Sequence, residues 1–337
     1  MAALASDQRQ PHEILGVDRP ALLDALRSAV DGAEPLRSIL RFHLGFEDER
    51  GPSAPATGKL LRPCLVLFIG EQLRAEPAGL MHAAVSLELA HAFSLIHDDI
   101  QDEDRTRRGH PSVWARFGVP QAINAGDLLY ALAVFAALRA SEAVATRLTH
   151  AVIEMIQGQA QDLEFEDRWP TAGDYLQMVD RKTGSLLRCA FELGALAGRA
   201  DPELVSTLSA AGHAVGRAFQ IQDDILGIWG DDQLLGKEIG SDIRRRKKSL
   251  PIVLLSEQLD GEDAADLQNV YEATSLADEQ VRAVVSRLDA CGIRERCETL
   301  AQQHARAAGT AIGSLALPDD ARARLAELAA FLVTRQR

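Results

Sequence analysis

Cysteine is sparse and poorly spaced for chemistry. Cys64, Cys189, Cys291 and Cys297 form no CxxC pair, so neither a zinc knuckle nor a disulfide framework is indicated, and the four read as buried thiols. A basic surplus is also missing. Lys and Arg number 36 against 49 Asp and Glu, a formal charge of -13, which argues against a general nucleic-acid or anionic-membrane binder. Any anionic ligand must therefore meet a local basic cluster. The longest strongly apolar run, Leu128 to Leu138, is far short of the ~20 residues of a spanning helix, and the N-terminus lacks the basic-then-apolar pattern of a signal peptide. These absences predict a cytoplasmic protein without a membrane span. No GxGxxG or Walker-type loop is present, which disfavours nucleotide chemistry. Strand signals are scarce and no internal repeat stands out.

What the chain has instead is helix. No proline falls between Pro120 and Pro170, Pro202 and Pro251, or Pro251 and Pro318, and such spans suit long helices. Val144, Leu148, Val152, Met155 and Ile156 recur at helical spacing, and the line runs on through Gln159 and Asp162, so that helix is expected to end facing something wet. The run LLYALAVFAAL is apolar all round, as in a helix buried on every side. GPSAPATG from Gly51 is the one linker-like loop, and helical pattern resumes directly after it. The expectation is an all-α single domain over residues 1–337, with residues 1–20 as a flexible N-terminal extension.

The chemistry concentrates in HDDIQDEDRTRRGHP, starting at His97. On a helix Asp98 and Asp102, four apart, differ by ~40° and one turn, so their oxygens converge with Asp99 alongside. Like charges that close repel unless a cation sits between them, and one or two carboxylates plus water and phosphate oxygens is a donor set for Mg²⁺. The alternative is a solvated acidic helix face. A second pair, Asp223 and Asp224 in AFQIQDDILGIWGDD, lies in an apolar setting where a solvated face would carry more charge. Two such pairs suggest one bridged site. An EF-hand fails, because Ile100 stands two residues after Asp98 where the loop needs an acid. An HD-type phosphohydrolase built on His97, Asp98 and His91 leaves the second pair without a role.

In so acidic a chain the cations beside these motifs matter most: Lys59 and Arg62 in GKLLRP, Arg107 and Arg108, Lys182, Lys237, and the run RRRKK from Arg244. Singly each reads as a surface charge. Together, arginine forks and lysine point charges are what a site holding several phosphate groups needs. Lys59 and Arg62 sit three apart at the start of a predicted helix, so both can face one anion with the helix N-terminus.

Read in chain order, GKLLRP, ELAHAFSLIHDD, DDIQD from Asp98 with Arg107, Arg108 and Gly109, KTG from Lys182, QDDIL from Gln222, GKEIGSD from Gly236 and KKSLP from Lys247 resemble the motifs of the trans-isoprenyl diphosphate synthases, or polyprenyl synthetase family. The resemblance implies a single-domain helical bundle around a central cavity, a homodimer, and Mg²⁺-dependent condensation of isopentenyl diphosphate with dimethylallyl, geranyl or farnesyl diphosphate. It also implies roles. Asp98, Asp99, Asp102 and Asp223, with Asp224 beside them, would hold Mg²⁺, three ions with substrate bound. Arg107, Lys182, Lys237 and Lys247 would assist on the allylic diphosphate. Lys59, Arg62, His91 and Arg108 would bind the diphosphate of isopentenyl diphosphate, while Thr183 and Gln220 would offer neutral dipoles to the cation.

Two positions depart from the family pattern: Thr57 stands where a second glycine is common, and Gly227 stands four after Asp223, where a third aspartate is usual. Asp231 or Asp232 is the candidate replacement. Phe93 and Ser94, five and four residues before Asp98, resemble the chain-length floor of C20 geranylgeranyl synthases. The alternatives are a C15 farnesyl synthase, a class I terpene cyclase, and a non-catalytic prenyl synthase subunit.

Overall fold

The computed structural model describes residues 9–48, 51–52, 57–230, 240–273 and 275–334. Helix dominates, as the proline-free spans predict, and the only strands among the described residues are two antiparallel ribbons of two residues each, β1 (Glu47–Asp48) with β2 (Gly51–Pro52) and β3 (Thr106–Arg107) with β4 (His110–Pro111). The chain divides into two compact units, Met1–Val152, Arg188–Ser209 and Leu315–Arg324 forming one, and Ile153–Leu187, Ala210–Ser314 and Leu325–Arg337 the other. The sequence marks no such boundary. Most borders fall inside long helices, where no loop composition changes to reveal them.

In the first unit α1 (Pro11–Leu15) and the start of α2 (Arg19–Val30) fall within the described part of the stretch expected to be a loose extension. Ile14, Leu15 and Val17 are buried, and Asp18 caps α2 by accepting from Ala21 N at 3.1 Å, which holds that stretch down. After α3 (Arg37–His43) and α4 (Leu61–Gln72), the unit is organised on α5 (Pro77–Gln101), which packs chiefly against α7 (Val119–Ala140) and α4. Proline at the first helical position and the Glu76 carboxylate, accepting from Ala78 N and Gly79 N, start α5; both devices suit the unsatisfied N–H groups there. A Cβ on Gly126 would lie 2.2 Å from His97 Nε2, so any larger residue there would force the His97 ring to move.

The longest apolar run, Leu128 to Leu138, behaves differently from its expectation. Along α7, which follows the short α6 (Val113–Phe117), the small residues Ala125, Ala133, Ala136 and Ala137 turn inward. Ile123, Phe135 and Leu138 remain 44%, 61% and 58% exposed. Leu129 is buried with the alanines, and a helix that buries one face and exposes Ile123, Phe135 and Leu138 cannot be told from a fully buried helix by composition alone. By length and composition, α5 and α7 would both suffice to cross a membrane, with 72% and 39% of their apolar windows buried in the fold; counting only the unbroken run in α7 understated it.

The second unit takes in the end of α8 (Glu142–Asp167), α9 (Ala172–Val179), a π-helical turn (Asp180–Gly184), the start of α10 (Ser185–Ala197) and most of α11 (Pro202–Trp229). Then come α12 (Ser241–Arg244), α13 (Leu250–Gln258) and further helices to α17 (Asp319–Thr334). Its core joins Tyr175 and Met178 of α9 to Ile221, Ile225 and Ile228 of α11 and to Ile252 and Leu255 of α13. Fully burying each such aliphatic side chain is worth about 1.5–3 kcal/mol. The π-helical turn sits at two glycine contacts. A Cβ on Gly158 would fall 2.3 Å from Lys182 N, and one on Gly216 would fall 3.1 Å from Gly184 Cα.

Candidate active site

In the first unit the DDIQD segment closes α5. Asp98 lies in its last turn and Asp102 is its C-cap residue, with Asp102 N donating to Asp98 O at 2.8 Å. Carboxylates at a helix C-terminus meet partial negative charge already present, which raises the cost of leaving them without a cation. Asp99 is handled otherwise. It is 1% exposed, and both its oxygens accept from Arg107, from Nε at 2.9 and 2.8 Å and from Nη2 at 2.6 Å. Burial pushes the Asp99 carboxyl above the usual aspartate value and Arg107 opposes without cancelling it. This bidentate pair fixes Arg107 as much as it neutralises Asp99.

Arg107 opens a two-residue hairpin. Arg108 (φ 53°) and Gly109 (φ 79°) are its central residues, and Arg107 pairs with His110 across it. Two positive φ angles are what a tight hairpin of the favoured twist demands, and the strain at a non-glycine residue is accepted at Arg108. The turn aims its guanidinium at Gly58, where a Cβ would lie 2.5 Å from Nη2. Glycine in the GK dipeptide thus makes room for Arg108. A cavity of ≈ 360 Å³ lies beside the hairpin, lined in part by His43, Asp99, Arg107, Arg108 and His110.

Arg62, on the first turn of α4, comes within 3.1 Å of His91 Nε2 through Nη1. Arginine can only donate, so His91 accepts at Nε2 and carries its proton on Nδ1. Burial, then Arg62, Arg108 and Arg107, hold this imidazole well below its ordinary value, so it is neutral. The sequence reading missed Glu88. It lies one turn before His91, 8% exposed, pushed up by burial and pulled down by Arg62 and Arg108. A lone acid inside VSLELAHAF was the available signal. Lys59 is exposed at the mouth of α4. Phe93 packs its ring against His97 and against Tyr130 of α7, at 5.1 and 5.4 Å between centroids, and Ser94 Oγ donates to His91 O at 2.9 Å.

In the second unit the π-helical turn is pinned by Arg217, whose Nε and Nη2 each donate to Asp180 at 2.6 Å. Irregular turns of this kind recur where function needs a side chain re-aimed. Lys182 points its ammonium at Asp162 of α8, 2.5 Å away, which gives the polar end of that apolar line its purpose. Thr183 Oγ1 donates to Gln220 Oε1 at 2.8 Å, and Gln220 Nε2 donates to Asp224 Oδ1 at 3.0 Å. Asp224 is 1% exposed and also accepts from the Tyr175 hydroxyl at 2.6 Å and from Leu250 N at 3.3 Å. Burial raises its carboxyl to about 6, against the pull of Lys247 and Tyr175.

The two lysines of KKSLP part company. Burial works against the Lys247 ammonium, but Asp242, Asp224, Asp162 and Asp223 outweigh it and hold it above the ordinary lysine value. Lys248 instead donates to the carbonyls of Phe165, Glu166 and Arg168 at 2.6, 2.9 and 3.2 Å, closing the end of α8. Lys237, Asp231 and Asp232 lie outside the described residues.

Among the described residues no three carboxylate, histidine or cysteine side chains converge into a ready-made metal cage. Oxygen-only donors in ones and twos, set among cations, nevertheless fit a hard divalent ion that completes its shell with water and phosphate. The local chemistry is that of an all-α enzyme handling diphosphates with a divalent metal. The polyprenyl synthetase family model matches residues 53–288, and the chain belongs to that family of prenyltransferases. It is 36% identical to a (2E,6E)-farnesyl diphosphate synthase of Mycobacterium bovis, over 97% of this chain and 94% of the relative. The geranylgeranyl pyrophosphate synthetase structure from Pyrococcus horikoshii superposes with a TM-score of 0.85 at 34% identity, covering 96% of this chain and 98% of that one. A polyprenyl synthase from Caulobacter crescentus, complexed with calcium and isoprenyl diphosphate, gives 0.86 at 25% identity and 97% of each chain.

Proposed function

We propose that the protein performs head-to-tail prenyl transfer, condensing isopentenyl diphosphate with an allylic diphosphate into a trans-polyprenyl diphosphate of C20 length. The observation that carries this reading is the Asp98 and Asp102 pair at the negative end of α5, in a chain of the polyprenyl synthetase family. Mg²⁺ is the metal we assign, three ions with substrate bound, and it would supply Lewis-acid stabilisation of the departing allylic diphosphate. Asp98, Asp102 and Asp223 would hold it. Asp99 and Asp224, each spent on buried hydrogen bonds, would set the positions of Arg107 and Gln220.

Lys182, Lys247 and, by the family resemblance, Lys237 would add positive charge to the leaving group. Lys59, Arg62 and Arg108 would bind the second diphosphate and hold the alkene against the allylic carbon, replacing a bimolecular encounter. Because His91 is neutral, it would add one N–H rather than a charge. Thr183 and Gln220 would turn dipoles toward the cation in a site closed to water. The released diphosphate would take the final proton.

The exposed Ile123, Phe135 and Leu138 of α7 fit burial against a second copy of the chain, and the free thiols of Cys64, Cys189 and Cys297, all buried, suit the reducing cytoplasm. A C15 product is the second reading, favoured by the farnesyl diphosphate synthase relative. Mass spectrometry of products from the purified protein, given Mg²⁺, isopentenyl diphosphate and each allylic diphosphate in turn, tests the proposal. A linear C20 diphosphate is expected. A linear C15 product selects the second reading, a cyclised hydrocarbon a terpene cyclase, and allylic-diphosphate binding without turnover a non-catalytic subunit.

A further inference from the structure

The π-helical turn Asp180–Gly184 joins α9 to α10 with no loop between them. Its hydrogen-bonded rings carry one residue more than those of the α-helix on either side, so neighbours must hold it open. Relaxing it into α-helix would swing the residues after Asp180 by as much as ~100° for each residue of register lost. Lys182 and Thr183 follow Asp180 by two and three residues. Whatever fixes Asp180 therefore fixes where both side chains point.

Helix α11 supplies that hold from one row of its surface. Arg217 donates from Nε to Asp180 Oδ1 and from Nη2 to Oδ2, each at 2.6 Å, at the start of the turn. Gln220, three residues on and on the same face, accepts from Thr183 Oγ1 at 2.8 Å near its end. His213, one helical turn before Arg217, brings Nε2 to 3.7 Å from Asp180 Oδ1. A two-pronged arginine contact fixes the direction of a carboxylate as well as its distance. The Arg217 and Asp180 side chains are 27% and 21% exposed, enclosed enough to set the contact apart from a loose surface ion pair. Across the turn, Lys182 reaches Asp162 of α8 at 2.5 Å.

We propose that Arg217 is a positioning residue for prenyl transfer: acting through Asp180, it locks the register of the π-helical turn, and so aims the Lys182 ammonium at the allylic diphosphate and the Thr183 hydroxyl at the developing cation. This rests on the prenyl-transfer reading, with Lys182 on the leaving group, and adds to it a residue outside every motif that the sequence singles out. Two positions of α11 then share the work. Arg217 holds the turn, and Gln220 ties it to Asp224, to which its Nε2 donates at 3.0 Å.

A double-mutant cycle on the full-length protein tests this, with Mg²⁺, geranyl diphosphate and isopentenyl diphosphate. Arg217→Ala is expected to lower kcat roughly tenfold to a hundredfold, the scale of a ~1 Å misplacement near the reacting atoms. KM for isopentenyl diphosphate should stay within about twofold, because an interaction realised in the transition state leaves ground-state binding in place. Asp180→Ala should cost about as much, and the double variant no more than either alone, since the two residues act as one unit. Amide hydrogen exchange across Asp180–Gly184 should quicken in all three, with melting curves establishing that each is folded. A folded Arg217→Ala with wild-type kcat overturns the proposal, as do losses that multiply in the double variant, or a KM for isopentenyl diphosphate that rises in step with the fall in kcat. If Arg217→Ala does not fold, Arg217→Lys, which keeps the charge and loses the fork, decides by the same split. Failure of the wider reading looks different: wild type itself would then show no prenyl transfer, while hydrogen exchange would still report whether Arg217 holds the turn.

Discussion

Asp99 and Arg107 form a two-pronged ion pair, with 2.6 Å between Asp99 Oδ1 and Arg107 Nη2, and this separates two adjacent aspartates into different trades. Asp99→Ala is expected to cost stability, about 3–5 kcal/mol, because it leaves the arginine without its partner. Asp98→Ala, in a half-exposed position, is expected to change stability by no more than about 0.5 kcal/mol while lowering kcat at least a hundredfold. Urea denaturation and steady-state kinetics on the two variants separate the roles. Equal stability losses would remove the distinction.

A parallel division holds for the second pair, where the Tyr175 hydroxyl donates to Asp224 at 2.6 Å. Tyr175→Phe strips a buried carboxylate of one of its donors. A loss of about 1–3 kcal/mol is expected, read as a lower melting temperature, with the affinity for isopentenyl diphosphate unchanged.

Much of this was legible in the sequence and some was not, for physical reasons. The helices over the proline-free spans, both aspartate pairs and the cations beside them follow from spacing and residue type. Which aspartate of each pair turns inward does not, since Asp98 and Asp99 read alike until Arg107 folds back through the hairpin at Arg108 and Gly109. Asp162, Glu88 and Asp242 act through partners 20, 26 and 5 residues away, namely Lys182, Arg62 and Lys247. Only tertiary packing brings most such groups together. Nor can the sequence show that the Asp242 carboxylate fills the space a side chain at Gly227 would take.

Acid should weaken the fold through His43. Its Nε2 donates to Ala92 O at 2.9 Å, and burial, with Arg107 and Arg108 nearby, holds the imidazole down to about 3 from 6.5. A base with a depressed folded value takes up its proton more readily when unfolded. Its contribution is therefore complete above pH 6.5 and is lost as pH falls toward 3. At pH 5 that loss reaches about 2 kcal/mol. Urea denaturation at pH 8 and pH 5 should show a smaller acid loss for His43→Gln than for wild type, the loss that remains including His91, His82 and His304, which shift in the same direction. An identical loss in the two proteins would exclude His43.

Product length should depend on Phe93 together with Tyr130. The Phe93 ring lies 7% exposed between α5 and α7, with Tyr130 behind it at 5.4 Å. A floor made of one ring is removed by deleting that ring, but one braced by a second also yields when the brace goes, because an unsupported aromatic side chain turns into the gap. Phe93→Ala is accordingly expected to shift product beyond C20, and Tyr130→Ala to do so by a smaller fraction with Phe93 intact. Truncating the buried Phe93 ring costs about 3–5 kcal/mol if the site cannot collapse, so Phe93→Leu and Tyr130→Leu serve as the milder pair. Mass spectrometry of the products reads all four. Unchanged lengths throughout would mean that the rings only pack α5 against α7, and that the chain is stopped elsewhere.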